Sequence, residues 1–421
     1  MLKNAPVTER GRYRNTKYVI DTSHPHFEKA YQLDVMGVTA KVREGRNVLW
    51  QHPKQSTATS KELIDFARCS YLGLDNHPKI VNGAIDMVQQ NQALHWSCAR
   101  TRLNFEHLRV LEGALSSLFS ARVVAFSSVW LANLGVMPLL ASGHLTNGVK
   151  PVIVFDRSCH VSLAYHKPVV ADETEVMTIP HNDMNALEDI CRNHECVAYV
   201  ADGVYSMGGS APVADIQKLQ EKYGLFAYID DAHGISIHGE NGEGYVRSQY
   251  PTELGDRTII AASMGKGFGA SGGILMLGTP QQEEIFRRYA PPYAFSAAPN
   301  LAAVGGALGS VDIHNSPELA QRQKLLRDSI AVFDEVIETP QTGEPFPIRV
   351  VAVGSEQTTI ESARFLMEQG FYASAVFFPT VGRGLSGLRI CPTAAHEHED
   401  IRRLGSLIDD LKKGWATKKA S

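Results

Sequence analysis

Seven short apolar runs punctuate the middle of this chain: "VVAFSS", "VIVFD", "VMTIP", "CVAYVADGV", "LFAYIDD", "TIIAAS" and "GILMLG", all between residues 123 and 278. Each is too short for a buried helix and shows little polar alternation, so each predicts a strand covered on both faces. Amphipathic stretches lie between several of them. "MNALEDICRNH" has helical spacing that buries Met184, Leu187, Ile190 and Cys191, and "DIQKLQEKYG" reads as a helix with Asp215 as N-cap and Gly224 as its stop. Apolar strands alternating with helices require a mostly parallel sheet with helices on both sides. The expected fold class is therefore α/β, with a seven-stranded, mostly parallel sheet in a large domain.

The flanks differ from this middle. Residues 1–60 are charged and irregular and predict an arm, leaving 61–297 as the large domain. From 298 to 421 the pattern becomes a long helical stretch over about 301–337, then "IRVVAVG", "TIESARFLMEQG", "YASAVFF", "LRICPT" and "EDIRRLGSLIDDLKKG", which predicts a smaller α+β domain. With 421 residues, 44% of them hydrophobic, the chain can bury a large core. Its net charge of -4 is spread among mixed signs, which excludes the basic stripe of a nucleic-acid or membrane-surface binder. The six cysteines, Cys69, Cys98, Cys159, Cys191, Cys196 and Cys391, contain no CxxC pair. They fit reduced thiols better than a disulfide frame or a zinc site. "MLKNAPVTERGRYRN" lacks the apolar centre of a signal peptide, and no apolar run reaches about 18 residues, so a cytoplasmic location is expected.

The stretch "AASMGKGFGASGG" sets a single lysine, Lys266, among glycines and small residues on the turn between two predicted strands. "GFGASG" matches GxGxxG by letter, but a strand follows it, so no helix N-terminus would face a pyrophosphate. A P-loop fails too, because Ile260 and Gly267 stand where a glycine and a Ser or Thr are needed. A lysine confined in a tight turn suits an amine that forms an imine with an aldehyde cofactor. A lysine that only caps the strand ends is the alternative on this stretch alone. "AYIDDAHG" adds Asp230, Asp231 and His233 at a strand end, where a carboxylate and an imidazole can face one pocket. Pyridoxal phosphate uses such a pair, since a carboxylate at the pyridine nitrogen keeps the ring protonated and a stronger electron sink. A capping Asp beside a satisfied core His is the alternative.

Taken in order, "YLGLDNHP", "FSSVWLAN", "DRSCHVSL", "DGVYSMGGSAP", "YIDDAHG", "SMGKGFGASGG", "FSAAPN" and "LRICPTAAHEHEDI" cover nearly the whole chain. Together they resemble the α-oxoamine synthases, fold type I pyridoxal-phosphate enzymes that condense an amino acid with an acyl-CoA. The resemblance implies that Lys266 is the Schiff-base lysine, Asp230 the pyridinium partner and His160 the imidazole stacked on the ring. It places Ser206 and His233 at the ring oxygen, and Ser263 with the backbone N–H groups of Val129 and Trp130 at the phosphate. It implies a homodimer in which Ser296 reaches the neighbouring subunit's phosphate, and it makes Arg389 the holder of the substrate carboxylate.

Three departures stand out. Ser70 replaces the family's usual Asn before "YLGL", near the amino-acid substrate. Val129 replaces a Gly beside the phosphate. "SCARTRLNFEH" replaces a glycine-rich segment, so Arg100 and Arg102 either touch substrate or form a salt-bridged surface. "HEHED" (396–400) reads as the start of the last helix rather than a metal site. The expected activity is decarboxylative condensation giving an aminoketone, CoA and carbon dioxide, with Lys266 and His160 or His233 moving protons. Two alternatives remain: the same site forming another carbon–carbon bond, for instance with an S-adenosylmethionine-derived substrate, and a cofactor-binding protein without catalysis.

Overall fold

The computed structural model describes residues 16–43, 45–51 and 60–420. In chain order, α1 (Thr16–Gln32), β1 (Ala40–Val42), β2 (Asn47–Gln51) and β3 (Ser60–Asp65) come first, followed by α2 (Pro78–Asn91), α3 (Glu106–Phe119), β4 (Arg122–Phe126) and α4 (Val129–Ala141). Next are β5 (Val152–Asp156), α5 (Val161–Ala164), α6 (Lys167–Ala171), β6 (Val176–Ile179), α7 (Met184–Asn193), β7 (Val197–Asp202), α8 (Val213–Tyr223), β8 (Phe226–Asp230), β9 (Thr258–Ser263) and β10 (Gly273–Leu277). The chain continues through α9 (Pro280–Tyr289), α10 (Pro291–Phe295), α11 (Leu301–His314), α12 (Pro317–Val336), β11 (Arg349–Gly354), α13 (Glu356–Glu368), β12 (Phe371–Tyr372), β13 (Ser374–Val376), β14 (Ser386–Ile390) and α14 (His398–Ala420).

All seven predicted strands form one sheet in the order β4-β10-β9-β8-β7-β5-β6. Strands β5 to β9 pair in parallel, and β10 runs antiparallel between β4 and β9. Because β10 opposes both neighbours, β4 points the same way as the parallel set. The C-terminal ends of β4, β7, β8 and β9 therefore share one edge with the start of β10. That edge is where ligands bind in open α/β sheets. The core explains the lack of alternation: Ala227, Tyr228, Ile259, Ile260, Ala261 and Leu275 are all inaccessible.

The chain divides into two compact units, one from Leu72 to Gln323 and the other made of the residues before and after it. These limits differ from the expected 61 and 297, and close packing gives the reason for the second. Helix α11 lies so tightly on α2 that a Cβ at Gly305 would stand 2.1 Å from the Gly83 carbonyl oxygen. It thus belongs with the larger unit. The long helix expected over 301–337 is two helices, α11 and α12, because Pro317 begins the second.

In the smaller unit, β1, β2, β3 and β12 form one sheet and β11, β14 and β13 another. The described part of 1–60 is thus helix and strand rather than an irregular arm. "YASAVFF" is split between the two sheets, with Tyr372 pairing in parallel with Asp65 and Ser374 opposite Arg389. Helix α8 starts before Asp215, with Pro212 in the cap position; Asp215 instead pairs with Lys218 at 2.8 Å. Gly224 does end it, at φ 73°. No helix among the described residues is long and apolar enough to cross a membrane.

Candidate active site

Lys266 lies on the turn joining β9 to β10, half-buried, at the C-terminal edge of the sheet. The turn is tightened by hydrogen bonds from Gly269 N to Lys266 O and from Ala270 N to Met264 O, 3.0 and 2.9 Å. Gly269, at φ +75°, takes a left-handed conformation and leaves no room for a Cβ, which would fall 2.5 Å from the Leu74 Cβ. The loop after β8 brings His233 alongside, with its Nε2 2.9 Å from Lys266 Nζ.

Asp230 is the last residue of β8 and is only 4% exposed. Its Oδ1 accepts from the Ala232 N–H and its Oδ2 from Asn133 Nδ2, both at 3.0 Å, so the carboxylate is fixed in direction. Asp231 points elsewhere, as strand alternation demands. Its Oδ2 accepts from the Val246 N–H at 2.9 Å, and Cβ atoms at Gly203 or Gly234 would strike its Oδ1 at 2.5 or 2.1 Å. Its role is to shape the loop after β8.

His160 caps α5 and is more than a third exposed. Its backbone N–H donates to Asp202 Oδ1 at 3.0 Å. Loss of water on the protein side of the ring, together with the Lys266 charge, lowers the imidazole below its ordinary value against the opposing pull of Asp230. Asp202 ends β7 directly opposite Asp230 in the strand register. Burial, then the Asp230 charge, raises its carboxyl well above the usual carboxylate range.

The N-terminus of α4 opens at the same edge. Ser128 is its N-cap, accepting from the Leu131 N–H at 3.3 Å, which leaves the first-turn N–H groups of Val129 and Trp130 without helical acceptors. Gly273 makes this approach possible: a Cβ there would lie 2.2 Å from Val129 N. Across the strands Gly273 pairs with Ser263, so the helix end, the glycine and the serine are neighbours. Ser206 follows β7 in the turn closed by the Val204–Ser210 bridge and is half-buried.

Ser296 follows α10 in the larger unit and is half-buried. Arg389, on β14, and Ser70, after β3, belong to the smaller unit. There the two terminal guanidinium nitrogens of Arg389, Nη1 and Nη2, reach Cys69 Sγ, at 3.7 and 3.6 Å. Arg100 forms a buried ion pair rather than one on the surface. It is 6% exposed, bonds Glu112 at 2.7 Å and the Ala125 carbonyl, and lies over the Tyr293 ring. Arg102 is exposed. Helix α14 begins within "HEHED", while His396 stacks on Phe66 with ring centroids 3.8 Å apart.

Sequence reasoning passed over Asn133, Ser162 and Asp202. Asn133 is fully buried in α4, a polar side chain in an otherwise apolar helix, which is itself a signal that it has buried partners. Asp202 had a second cue, because "AYVAD" and "AYID" end two adjacent strands in the same way.

The donor set suits pyridoxal phosphate: an amine for its aldehyde, a fixed carboxylate for its ring nitrogen, and a glycine-floored helix terminus for its phosphate. Residues 79–408 match the model of the aminotransferase class I and II family. The 8-amino-7-oxononanoate synthase of Geobacter sulfurreducens is 28% identical over 369 residues, 86% of this chain and 92% of that protein. That of Marinomonas sp. is 30% identical over 363 residues, 84% and 86% of the two chains. The same fold is found in the Sphingomonas wittichii serine palmitoyltransferase, with a TM-score of 0.77, 20% identity, and 95% and 99% of the chains covered. The chain belongs to the class I and II aminotransferase family and, within it, to the α-oxoamine synthases.

Proposed function

We propose that this protein binds pyridoxal phosphate at the sheet edge and condenses an amino acid with an acyl-CoA, releasing CoA and carbon dioxide and leaving an α-aminoketone. The reaction class goes with the family: α-oxoamine synthases are pyridoxal-phosphate enzymes that join an amino acid to an acyl thioester with loss of the carboxyl group. The observation that carries the reading is the convergence of Lys266, His233 and Asp230 at one edge, with the amine 2.9 Å from the imidazole.

The cofactor, when bound, supplies an electron-accepting ring that makes the Cα of the amino acid acidic and, after acylation, eases loss of carbon dioxide. Lys266 Nζ would hold the aldehyde end of the cofactor. His233 Nε2 exchanges a proton with Lys266 Nζ across their contact, so the amine is available as a base once released. Asp230 holds the ring-nitrogen proton, its two oxygens kept in place by Asn133 and the Ala232 N–H. His160 covers one face of the ring, and Ser206 and His233 orient its oxygen. Ser263 and the Val129 and Trp130 N–H groups seat the phosphate, joined by Ser296 of the second subunit in a homodimer. Arg389 binds the substrate carboxylate, with Ser70 near the amino acid.

Carboxyl-labelled amino acids test the reaction. Labelled carbon dioxide should appear only when an acyl-CoA is present, in equal amount with free CoA thiol. Release without acyl-CoA would make the protein a plain decarboxylase. CoA release with the label kept in the product would indicate a different carbon–carbon bond.

A further inference from the structure

Two buried residues of the larger unit, Asn133 and Ser162, link Asp230, assigned to the ring nitrogen, with His160, assigned to the ring face. Asn133 is inaccessible and Ser162 is 1% exposed. The Asn133 Nδ2 group donates one hydrogen to Asp230 Oδ2 at 3.0 Å and the other to Ser162 Oγ at 2.9 Å. Its Oδ1 accepts from the Tyr228 hydroxyl. This orientation of the amide has no good alternative, because a flip would turn its carbonyl oxygen toward the carboxylate. Ser162 Oγ, already accepting from Asn133, has its own hydrogen left for His160 Nδ1, 2.8 Å away. The Ser162 backbone N–H also points at His160 Nδ1, at 3.3 Å.

A backbone N–H can only donate. His160 Nδ1 therefore serves as an acceptor and carries no hydrogen, and both of its donors come from one residue that Asn133 holds in place. We propose that Asn133 is a positioning residue of the active site, holding Asp230 with one N–H and, through Ser162, keeping His160 as the neutral imidazole with its proton on Nε2. The charged groups that act on His160 are Asp230 and Lys266, with Asp202 beneath its backbone N–H; none of them is a hydrogen-bond partner of Nδ1.

The consequence divides the proton work. An imidazole with Nδ1 occupied by two donors and Nε2 protonated has no free lone pair, so it offers the cleft a hydrogen-bond donor and not a base. Proton abstraction then falls to Lys266 and His233. This consequence rests on the cofactor reading given above, whereas the tautomer itself does not.

The test is nitrogen-15 NMR of the holoenzyme labelled in its histidines, with His160→Gln identifying the resonances. At neutral pH His160 should show a bare Nδ1 and a protonated Nε2. In Ser162→Ala, which removes the 2.8 Å hydroxyl contact and leaves only the longer 3.3 Å backbone N–H to hold Nδ1 as an acceptor, the protonated-Nδ1 form should gain population, and kcat should fall roughly tenfold or more with a smaller change in the amino-acid KM. Ser162→Thr, which keeps the hydroxyl, should restore both. Asn133→Ala should act as Ser162→Ala does and also loosen Asp230; if it does not fold, the Ser162 pair decides. A protonated Nδ1 or an imidazolium in the wild type would overturn the proposal. So would a Ser162→Ala enzyme with the wild-type tautomer and turnover. Failure of the proposed reaction would show separately, as a wild-type enzyme without acyl transfer whose His160 tautomer is still measurable.

Discussion

Lys266 Nζ and His233 Nε2 stand 2.9 Å apart although 33 residues separate them in the chain. Two connections from neighbouring strands produce the meeting: β8 ends at Asp230 and turns through His233, while β9 ends at Ser263 and turns through Lys266. In Lys266→Ala, borohydride should no longer fix the cofactor to the chain, and turnover should fall at least about 100-fold, the usual range for losing a positioned proton carrier. Peptide mapping after reduction checks the linkage. A reducible adduct with normal turnover would rule out the assignment.

Gly273→Ala places a methyl group where Val129 N now lies 2.2 Å from the Cβ position. The helix end must shift, so the cofactor dissociation constant should rise by roughly tenfold or more, with a stability loss of about 1–3 kcal/mol from overpacking. Spectroscopic titration with cofactor and thermal melting separate the two effects.

Arg389→Ala should weaken amino-acid binding by roughly 2–5 kcal/mol, since the charged contact proposed between its guanidinium and the substrate carboxylate is removed. Arg389→Lys should recover only part of this, because an ammonium lacks the planar fork. Steady-state KM values for each substrate provide the check. The KM for acyl-CoA should change much less.

Asp231 is buried, its Oδ1 has no hydrogen-bond partner among the described residues, and burial pushes its carboxyl up to about 8 from an ordinary 3.8. Between those values the folded chain keeps a proton that the unfolded chain has lost. Stability from this group is therefore full below the lower value, falls as pH rises through the window, and levels off above the upper one, with a slope on the order of 1 kcal/mol per pH unit. Denaturant unfolding across this range should show that decline. Asp231→Asn, which cannot ionise, should flatten it.

Ser296 is expected to serve the phosphate of a second subunit. Lys266→Ala and Ser296→Ala chains, mixed by unfolding and refolding together, should then regain activity, because one of the two sites in each hybrid dimer is intact. Random pairing gives about one quarter of wild-type activity. No recovery would place Ser296 in its own subunit's site, and a fully active monomer in sedimentation would remove the shared site altogether.

The sequence by itself determined the seven-stranded α/β core, because parallel strands buried on both faces leave unbroken apolar runs that need no partner to be recognised. It also determined the Lys266 turn, through glycines that only a confined backbone requires, and the Asp230–His233 strand end. Tertiary structure decided what depends on distant pairing. Strand β3 pairs with Phe371 and Tyr372, some 300 residues on, so the N-terminal segment showed no periodicity of its own. Asn133, Ser162 and Asp202 acquire meaning only when α4, α5 and β7 bring them against Asp230 and His160. Hydrogen bonds between side chains far apart in the chain leave no local pattern, whereas burial of a strand does.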